Sequence, residues 1–165
     1  MNQFWQLLAE SLRTEVAEYG RLVHIFEEQQ AHLLKREAAD VLRTTNEIDQ
    51  QVRIVAESRR AREGTTRDFA RAQGLAEAST IRSLLPAVPA EARPLIEALV
   101  DDLNRLVRRV RRISRHNRLF LIRTIETHQE LLRRFRPGSF TKTYSNAGSV
   151  TVAPFPRASA FAAEG

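Results

Sequence analysis

Cysteine is absent from this 165-residue chain, and lysine, glycine and long apolar runs are scarce. Without cysteine the chain can form neither a disulfide framework nor a thiolate metal site or nucleophile, which suits a reducing compartment. The longest apolar runs are only about four or five residues, far short of the roughly 20 that cross a bilayer. The first sixteen residues also lack the basic and apolar regions of a signal peptide. These absences predict a cytosolic protein without stable membrane insertion.

Motifs for catalysis and ligand binding are missing as well. The four histidines, at positions 24, 32, 116 and 128, do not have the HExxH spacing of a zinc-binding helix. His24 and His32 would lie about 12 Å apart along a helix, too far for one metal ion. The sequence contains neither a glycine-rich phosphate loop nor a GxSxG elbow. We therefore expect no enzymatic activity, no cofactor and no metal site.

Positive charge is concentrated in the second half of the chain. Residues 1–92 carry 12 Lys and Arg against 14 Asp and Glu, whereas residues 93–136 carry 12 Arg against 5 acidic residues. A basic helix can bind nucleic acid or an anionic membrane. Alternatively, arginines 105, 108, 109, 112 and 115 form a solvated face that partly neutralises Glu27, Glu28 and Glu37. We favour the second interpretation, because no aromatic or glycine residue is interleaved with these arginines.

The stretch from Pro94 to Phe135 has no glycine and no internal proline, and it predicts one helix roughly 60 Å long. Apolar residues recur at 3-4 spacing from Leu99 to Phe120, which is typical of a packed seam, and Asn117 occupies the same register. We interpret Asn117 as a residue that fixes register at a cost in stability, with contact to a partner as the alternative. After Asn117 the apolar residues spread over more than one face. Such an excess of apolar surface predicts a partner.

The rest of the chain predicts three further helices and a tail. Apolar periodicity indicates helices over about residues 3–36 and 40–72, a short one over 77–85, and the long one over 91–136. Residues 137–165 are rich in Gly, Pro, Ser, Thr and Ala, which is typical of a flexible tail. The predicted fold class is all-α, an elongated antiparallel bundle or coiled coil of three long helices and one short helix. A helical domain over 1–136 precedes the tail over 137–165. The predicted core residues are Trp5, Leu12, Tyr19, Phe26, Ile48, Val52, Leu99, Leu103, Leu106, Val110 and Ile113.

Five stretches of sequence together resemble a known family. They are LRTEVAEYGRLVHIFEEQQAHLL, DVLRTTNEIDQQVRIVAESRR, AQGLAEASTIRSLL, RISRHNRLFL and, in the tail, TYSNAGSV. In this order they resemble the FlgN family of flagellar export chaperones, and HNRLFL and TYSNAG are the most specific parts. The chain departs from the family pattern in its arginine content and in a tail that ends FPRASAFAAEG.

The resemblance implies a cytosolic type III secretion chaperone. Its clients would be the hook-associated proteins of the hook–filament junction, which it would keep from premature assembly and deliver to the flagellar export gate. A substitute apolar helix face can do this without ATP. The identity of the client and the choice between monomer and dimer stay open, and nucleic acid is not an expected partner.

Two alternative functions belong to other classes. A basic coiled-coil adaptor would bind nucleic acid through Arg105 to Arg118, and its affinity would fall steeply with salt. A purely structural coiled coil would keep the apolar pattern of its last helix within one seam, which this sequence does not do.

The client site is predicted on the second half of the long helix and in the tail. The predicted client-binding residues are Leu121, Ile125, Leu132, Phe135 and Tyr144. The first four lie at spacings of 4, 7 and 3, a stripe displaced from the Phe120 and Leu131 register that continues the core seam. Tyr144 would add an aromatic anchor from the tail. The competing interpretation is that the short helix or the N-terminal hairpin covers this stripe.

Overall fold

The computed structural model describes residues 3–135, 140–144 and 150–154, with side chains described for 3–135. The helices are α1 (Gln3–Lys35), α2 (Ala38–Ala72), α3 (Ile81–Leu84) and α4 (Arg93–Phe135), and a 3-10 turn (Leu85–Ala87) follows α3. Two short strands, β1 (Phe140–Tyr144) and β2 (Val150–Pro154), come last. The fold is therefore built of three long helices and one short helix, which confirms the predicted all-α class.

The chain divides into two compact units, Met1–Leu119 and Phe120–Gly165, and α4 contributes residues to both. In the first unit, Gln29 of α1 contacts Thr45 of α2, and Gln51 of α2 contacts Glu18 of α1, so these helices run antiparallel. Ile96 of α4 lies in one apolar cluster with Leu8 of α1. Further along, Ile113 of α4 clusters with Phe26 of α1, and therefore α4 runs parallel to α1. Successive long helices are thus antiparallel in this unit.

The turn between α1 and α2 is tight. Arg36 adopts a left-handed backbone conformation with φ of 61°, which reverses the chain directly after Lys35. The backbone N–H of Glu37 then donates to the carbonyl of His32, and that of Arg36 donates to Leu33, so two carbonyls at the helix end gain partners. Because the reversal takes two residues, α2 begins at Ala38, two residues before the start predicted at residue 40.

Two apolar clusters form the core of the first unit. One consists of the buried residues Leu8, Ala9, Leu12, Phe69, Ala70, Leu84, Val88, Ala92 and Ile96. The other consists of Leu22, Val23, Phe26, Ile48, Val55 and Ile113. Ten of the eleven predicted core residues are either buried in these clusters or partly buried against them.

The prediction for the remaining core residue, Val52, is wrong, because this residue is 47% exposed. Ile48 is buried as predicted and Val55 is buried too, but the inward position between them belongs to Gln51. The Gln51 amide donates to the backbone carbonyl of Glu18 at 3.1 Å and to its carboxylate at 2.7 Å. A hydrogen-bonded glutamine fills a position that hydrophobic periodicity assigns to an apolar residue.

The short helix is shorter than predicted. It begins at Ile81 rather than near residue 77, because Thr80 is its N-cap and accepts a hydrogen bond from the backbone N–H of Ser83. Gly74, with φ of 67°, lies just past the end of α2, where its left-handed backbone conformation terminates the helix. Leu84 is fully buried in the first cluster and anchors this connection to the bundle.

The two strands lie in a segment where the sequence predicts a flexible tail. They pair antiparallel, with Phe140 opposite Pro154 and Tyr144 opposite Val150. Their residues FTKTY and VTVAP are rich in β-branched and aromatic side chains, a local signal that the overall Gly and Pro content of the tail hides. A single two-stranded hairpin is marginally stable at best in water. The flexibility of the tail and the domain boundary at residue 136 stay predictions.

Candidate functional site

The second half of α4 carries apolar side chains that remain accessible. Within the second unit, Ile125 is 52% exposed, Leu132 50% and Phe135 81%. Leu121 is half-buried. At about 100° per residue these four positions fall within roughly 80° of one another, so they share one face of the helix. We call Leu121, Ile125, Leu132 and Phe135 the apolar face.

Charged residues of the same helix segment lie on the opposite side. Glu130 forms ion pairs with Arg133 at 3.7 Å and with Arg134 at 3.6 Å, both within α4. At helical spacing Glu130 lies about 160° from Leu132, so these pairs lie away from the apolar face, whereas the exposed His128 lies on it between Ile125 and Leu132. Ile122 and Leu131 are also exposed and widen the apolar surface on either side. The segment is therefore amphipathic, with one face suited to packing against another helix.

Tyr144 is the last residue of β1 and lies opposite Val150. Its side chain lies outside the described part of the chain, so its contribution to the client site stays a prediction. The geometry brings four of the five predicted residues to one helix face by their spacing alone.

Asn117 lies at the centre of a polar contact that joins the three long helices. It is 2% exposed, and its Nδ2 donates to the carbonyl of Phe26 at 2.9 Å and to the Oε1 of Gln29 at 3.1 Å. Gln29 in turn donates through Nε2 to the hydroxyl of Thr45 on α2 at 3.0 Å. This burial supports the interpretation that Asn117 fixes helix register, because so buried a side chain cannot contact a partner without local opening.

Comparison with known proteins decides the family. The family model described as FlgN protein matches residues 1–151. The chain belongs to the FlgN family. The FlgN match includes all of α1, α2 and α4 together with Tyr144, and it confirms the resemblance found from the sequence motifs. Neither a curated protein nor a solved structure matches the chain.

Membership in the FlgN family gives the chain the general role of a flagellar export chaperone. FlgN is a chaperone family rather than a family of enzymes. In the part of the chain that the structure describes, every helix is too short or too polar to span a bilayer.

A charged network surrounds the α1–α2 turn of this FlgN-family chain. The Nδ1 of His32 lies 2.5 Å from a carboxylate oxygen of Glu37, and its Nε2 lies 3.5 Å from Glu28. The hydrogen bond with Glu37 raises the pKa of His32 above its ordinary value, and burial opposes this shift. Arg43 donates to Glu28 at 2.8 Å, which lowers the pKa of that carboxyl. The network thus favours a protonated histidine between two carboxylates.

The same turn places His32, Glu37 and Asp40 with one potential ligand atom each within 4.8 Å of one another. The guanidinium of Arg43 lies 3.5 Å from Asp40 and 3.4 Å from the Nε2 of His32. A metal cation would meet this positive charge at contact distance. The hydrogen-bonded network accounts for the cluster without a metal. The histidine spacings in the sequence do not reveal this cluster, because two of its three members are carboxylates.

The arginines of α4 neutralise α1 only in part. Arg109 forms an ion pair with Glu27, as the solvated-face interpretation expects. The other two acidic residues named there pair elsewhere, Glu28 with Arg43 and Glu37 with His32. Those two contacts were mispredicted because α2 and the α1–α2 turn, rather than α4, place the nearest cations beside them.

Proposed function

We propose that this FlgN-family chain is a cytoplasmic type III export chaperone for hook-associated proteins. It would bind the terminal segments of these hook–filament junction proteins, prevent their premature assembly and deliver them to the flagellar export gate. The observation that carries the proposal is the apolar face of α4 in this FlgN-family chain, on which Ile125, Leu132 and Phe135 are at least half exposed.

The proposed mechanism is substitution of one helix contact for another. A client segment that assembles through an amphipathic helix can pack its apolar side against the apolar face of α4 instead of against another client. Full burial of a Leu or Phe side chain contributes about 1.5–3 kcal/mol. Phe135 is 81% exposed, so its burial by a client would contribute most of this free energy. Ile125 and Leu132 are already about half covered and would each contribute about half of it. Phe135 is therefore the side chain with the largest expected gain.

Release follows from the same contacts. A binder suppresses client assembly only in proportion to its own affinity, so a competing contact at the export gate is enough to free the client. This step requires no nucleotide hydrolysis by the chaperone.

The experiment that tests the site is a double substitution, Leu121→Ser with Ile125→Ser. We expect circular dichroism to show retained helicity and a titration with a purified hook-associated protein to show at least about tenfold weaker binding. The matched control is Leu42→Ser with Ile54→Ser, which removes an exposed Leu and Ile from α2 instead. The control should bind the client like the unmodified chain.

Two results would count against the proposal in different ways. Retained helicity with unchanged binding in Leu121→Ser, Ile125→Ser would reject the site but leave the chaperone function. No measurable binding of hook-associated proteins by the unmodified chain would reject the client class itself.

A further inference from the structure

Residues 103–119 of α4 contain seven arginines and no acidic residue. All seven side chains are exposed. Arg105 pairs with Asp102 and Arg109 with Glu27. The other five, at positions 108, 111, 112, 115 and 118, have no ion-pair partner within the described residues. The first unit therefore carries a concentrated positive charge that its own carboxylates leave largely unneutralised.

Four of these arginines form a straight row. Arg108, Arg111, Arg115 and Arg118 are spaced 3, 4 and 3 residues apart, which places them on one face over roughly 15 Å. At about 100° per residue the centre of the row lies opposite Ile113, which is buried in the core. The row thus faces away from α1 and α2. We call these four residues the arginine row.

Like charges at this spacing destabilise a helix through mutual repulsion. A surface of opposite charge removes that repulsion and adds attraction. Guanidinium groups suit phosphates especially well, because their planar forks donate two parallel hydrogen bonds to two oxygens.

We propose that the arginine row docks this chain on an anionic lipid surface through phosphate headgroups. Four guanidiniums along one straight helix face can meet a flat surface at the same time. Leu119, which is half exposed, lies about 60° from the centre of the row. A lipid interface accepts a leucine beside cationic side chains, whereas a nucleic-acid phosphate backbone offers it no apolar partner.

The residues around the row also argue against nucleic acid. Residues 103–119 contain no Phe, Tyr or Trp on which bases could stack. The docking would be peripheral, since it uses a charged helix face. It is independent of the proposed chaperone function, because none of the four arginines belongs to the apolar face.

The test measures co-sedimentation of the full chain with vesicles of phosphatidylcholine containing about 30% phosphatidylglycerol, and with vesicles of phosphatidylcholine alone. We expect binding to the anionic vesicles only. Arg111→Gln with Arg115→Gln should weaken it about thirtyfold, since each basic residue near an anionic surface contributes about fivefold. Glutamine has nearly the helix propensity of arginine, so the fold should be retained.

The matched control is Arg53→Gln with Arg60→Gln, which removes the same charge from two exposed arginines of α2. It should change vesicle binding less than about threefold. An equal loss in both double variants would overturn the proposal, because it would show an effect of net charge alone. Equal binding to neutral vesicles would also overturn it. Tighter binding to duplex DNA than to anionic vesicles, with the same dependence on Arg111 and Arg115, would assign the row to nucleic acid instead.

Discussion

Asn117 is a single polar side chain that contributes to the alignment of three helices. Its amide nitrogen donates hydrogen bonds to two acceptors on α1, and Gln29 in turn donates a hydrogen bond to Thr45 of α2. An apolar residue at this position could pack against α1 in several helix registers. The two hydrogen bonds of Asn117 can form only in the register that places it beside Phe26 and Gln29. The residue therefore selects one helix register among those that the apolar seam allows.

Replacement of Asn117 by alanine should lower the free energy of unfolding by about 1–3 kcal/mol. The reason is that the Oε1 of Gln29, itself buried, would lose its donor. Urea denaturation followed by circular dichroism measures the change. Asn104→Ala, at an exposed position of the same helix, should stay within about 0.5 kcal/mol of the unmodified chain. Equal effects at the two positions would contradict the role of Asn117.

His32 should make stability depend on pH near neutrality. Its pKa is raised in the folded chain above 6.5, so the protonated form is the one that stabilises the fold. This contribution is fully present below about pH 6.5 and is lost as pH rises through the raised folded pKa. His32→Gln should therefore reduce the urea midpoint at about pH 5.5 and have a smaller effect at about pH 9.

The control for this pH effect is His24→Gln, which alters an exposed histidine of the same helix. Its urea midpoint should stay close to that of the unmodified chain at both pH values. The pKa of Glu28 is lowered by Arg43, so that carboxylate stays charged throughout the range and does not obscure the result. An equal effect of His32→Gln at both pH values would exclude the proposed titration.

At the scale of elements, the contact between α1 and α2 contains a buried ion pair. Glu15 is 2% exposed, and the Nε of Arg62 donates to its Oε2 at 2.5 Å. Taking two charges out of water costs free energy that their attraction offsets only with good geometry. The intact pair therefore contributes little net free energy of unfolding, whereas removal of one partner should destabilise the fold strongly.

Arg62→Met should destabilise the chain by about 3 kcal/mol, because it leaves the Glu15 carboxylate buried without a counter-charge. Adding Glu15→Leu should restore most of the loss, since an apolar pair of similar volume has no charge to desolvate. Urea unfolding of the two single variants and the double variant gives the coupling energy. Arg59→Met breaks an exposed pair with Glu63 and should cost less than about 1 kcal/mol. A double variant no more stable than Arg62→Met would contradict this account.

At the scale of the whole molecule, the sequence predicts the helices better than their contacts. The ends of α1, α2 and α4 follow from periodicity, Gly74 and the prolines before α4, which are local signals. The Glu15–Arg62 pair joins residues 47 positions apart, and periodicity carries no information about such a contact. Periodicity places Val52 in the core for the same reason, since the pattern cannot show that Gln51 has a hydrogen-bond partner on α1.

The candidate site was predictable in part. An excess of apolar residues after Asn117 is visible in the sequence, and the exposure of Ile125, Leu132 and Phe135 agrees with it. Whether a neighbouring element covers such residues depends on the tertiary arrangement, which spacing does not specify. The family match adds the general function, which no helix pattern carries alone.

The buried Glu15–Arg62 pair also separates the two apolar clusters. On α1 it lies between Leu12 and Leu22, and on α2 between Val55 and Phe69, which belong to different clusters. Because a buried polar layer lies between the clusters on α1 and α2, we expect each cluster to open locally as its own cooperative unit, which hydrogen exchange would measure. Backbone amides near the α1–α2 turn then exchange with solvent through one opening event, and those near α3 through another. The bundle can thus loosen at the turn while the cluster around Phe69 stays closed.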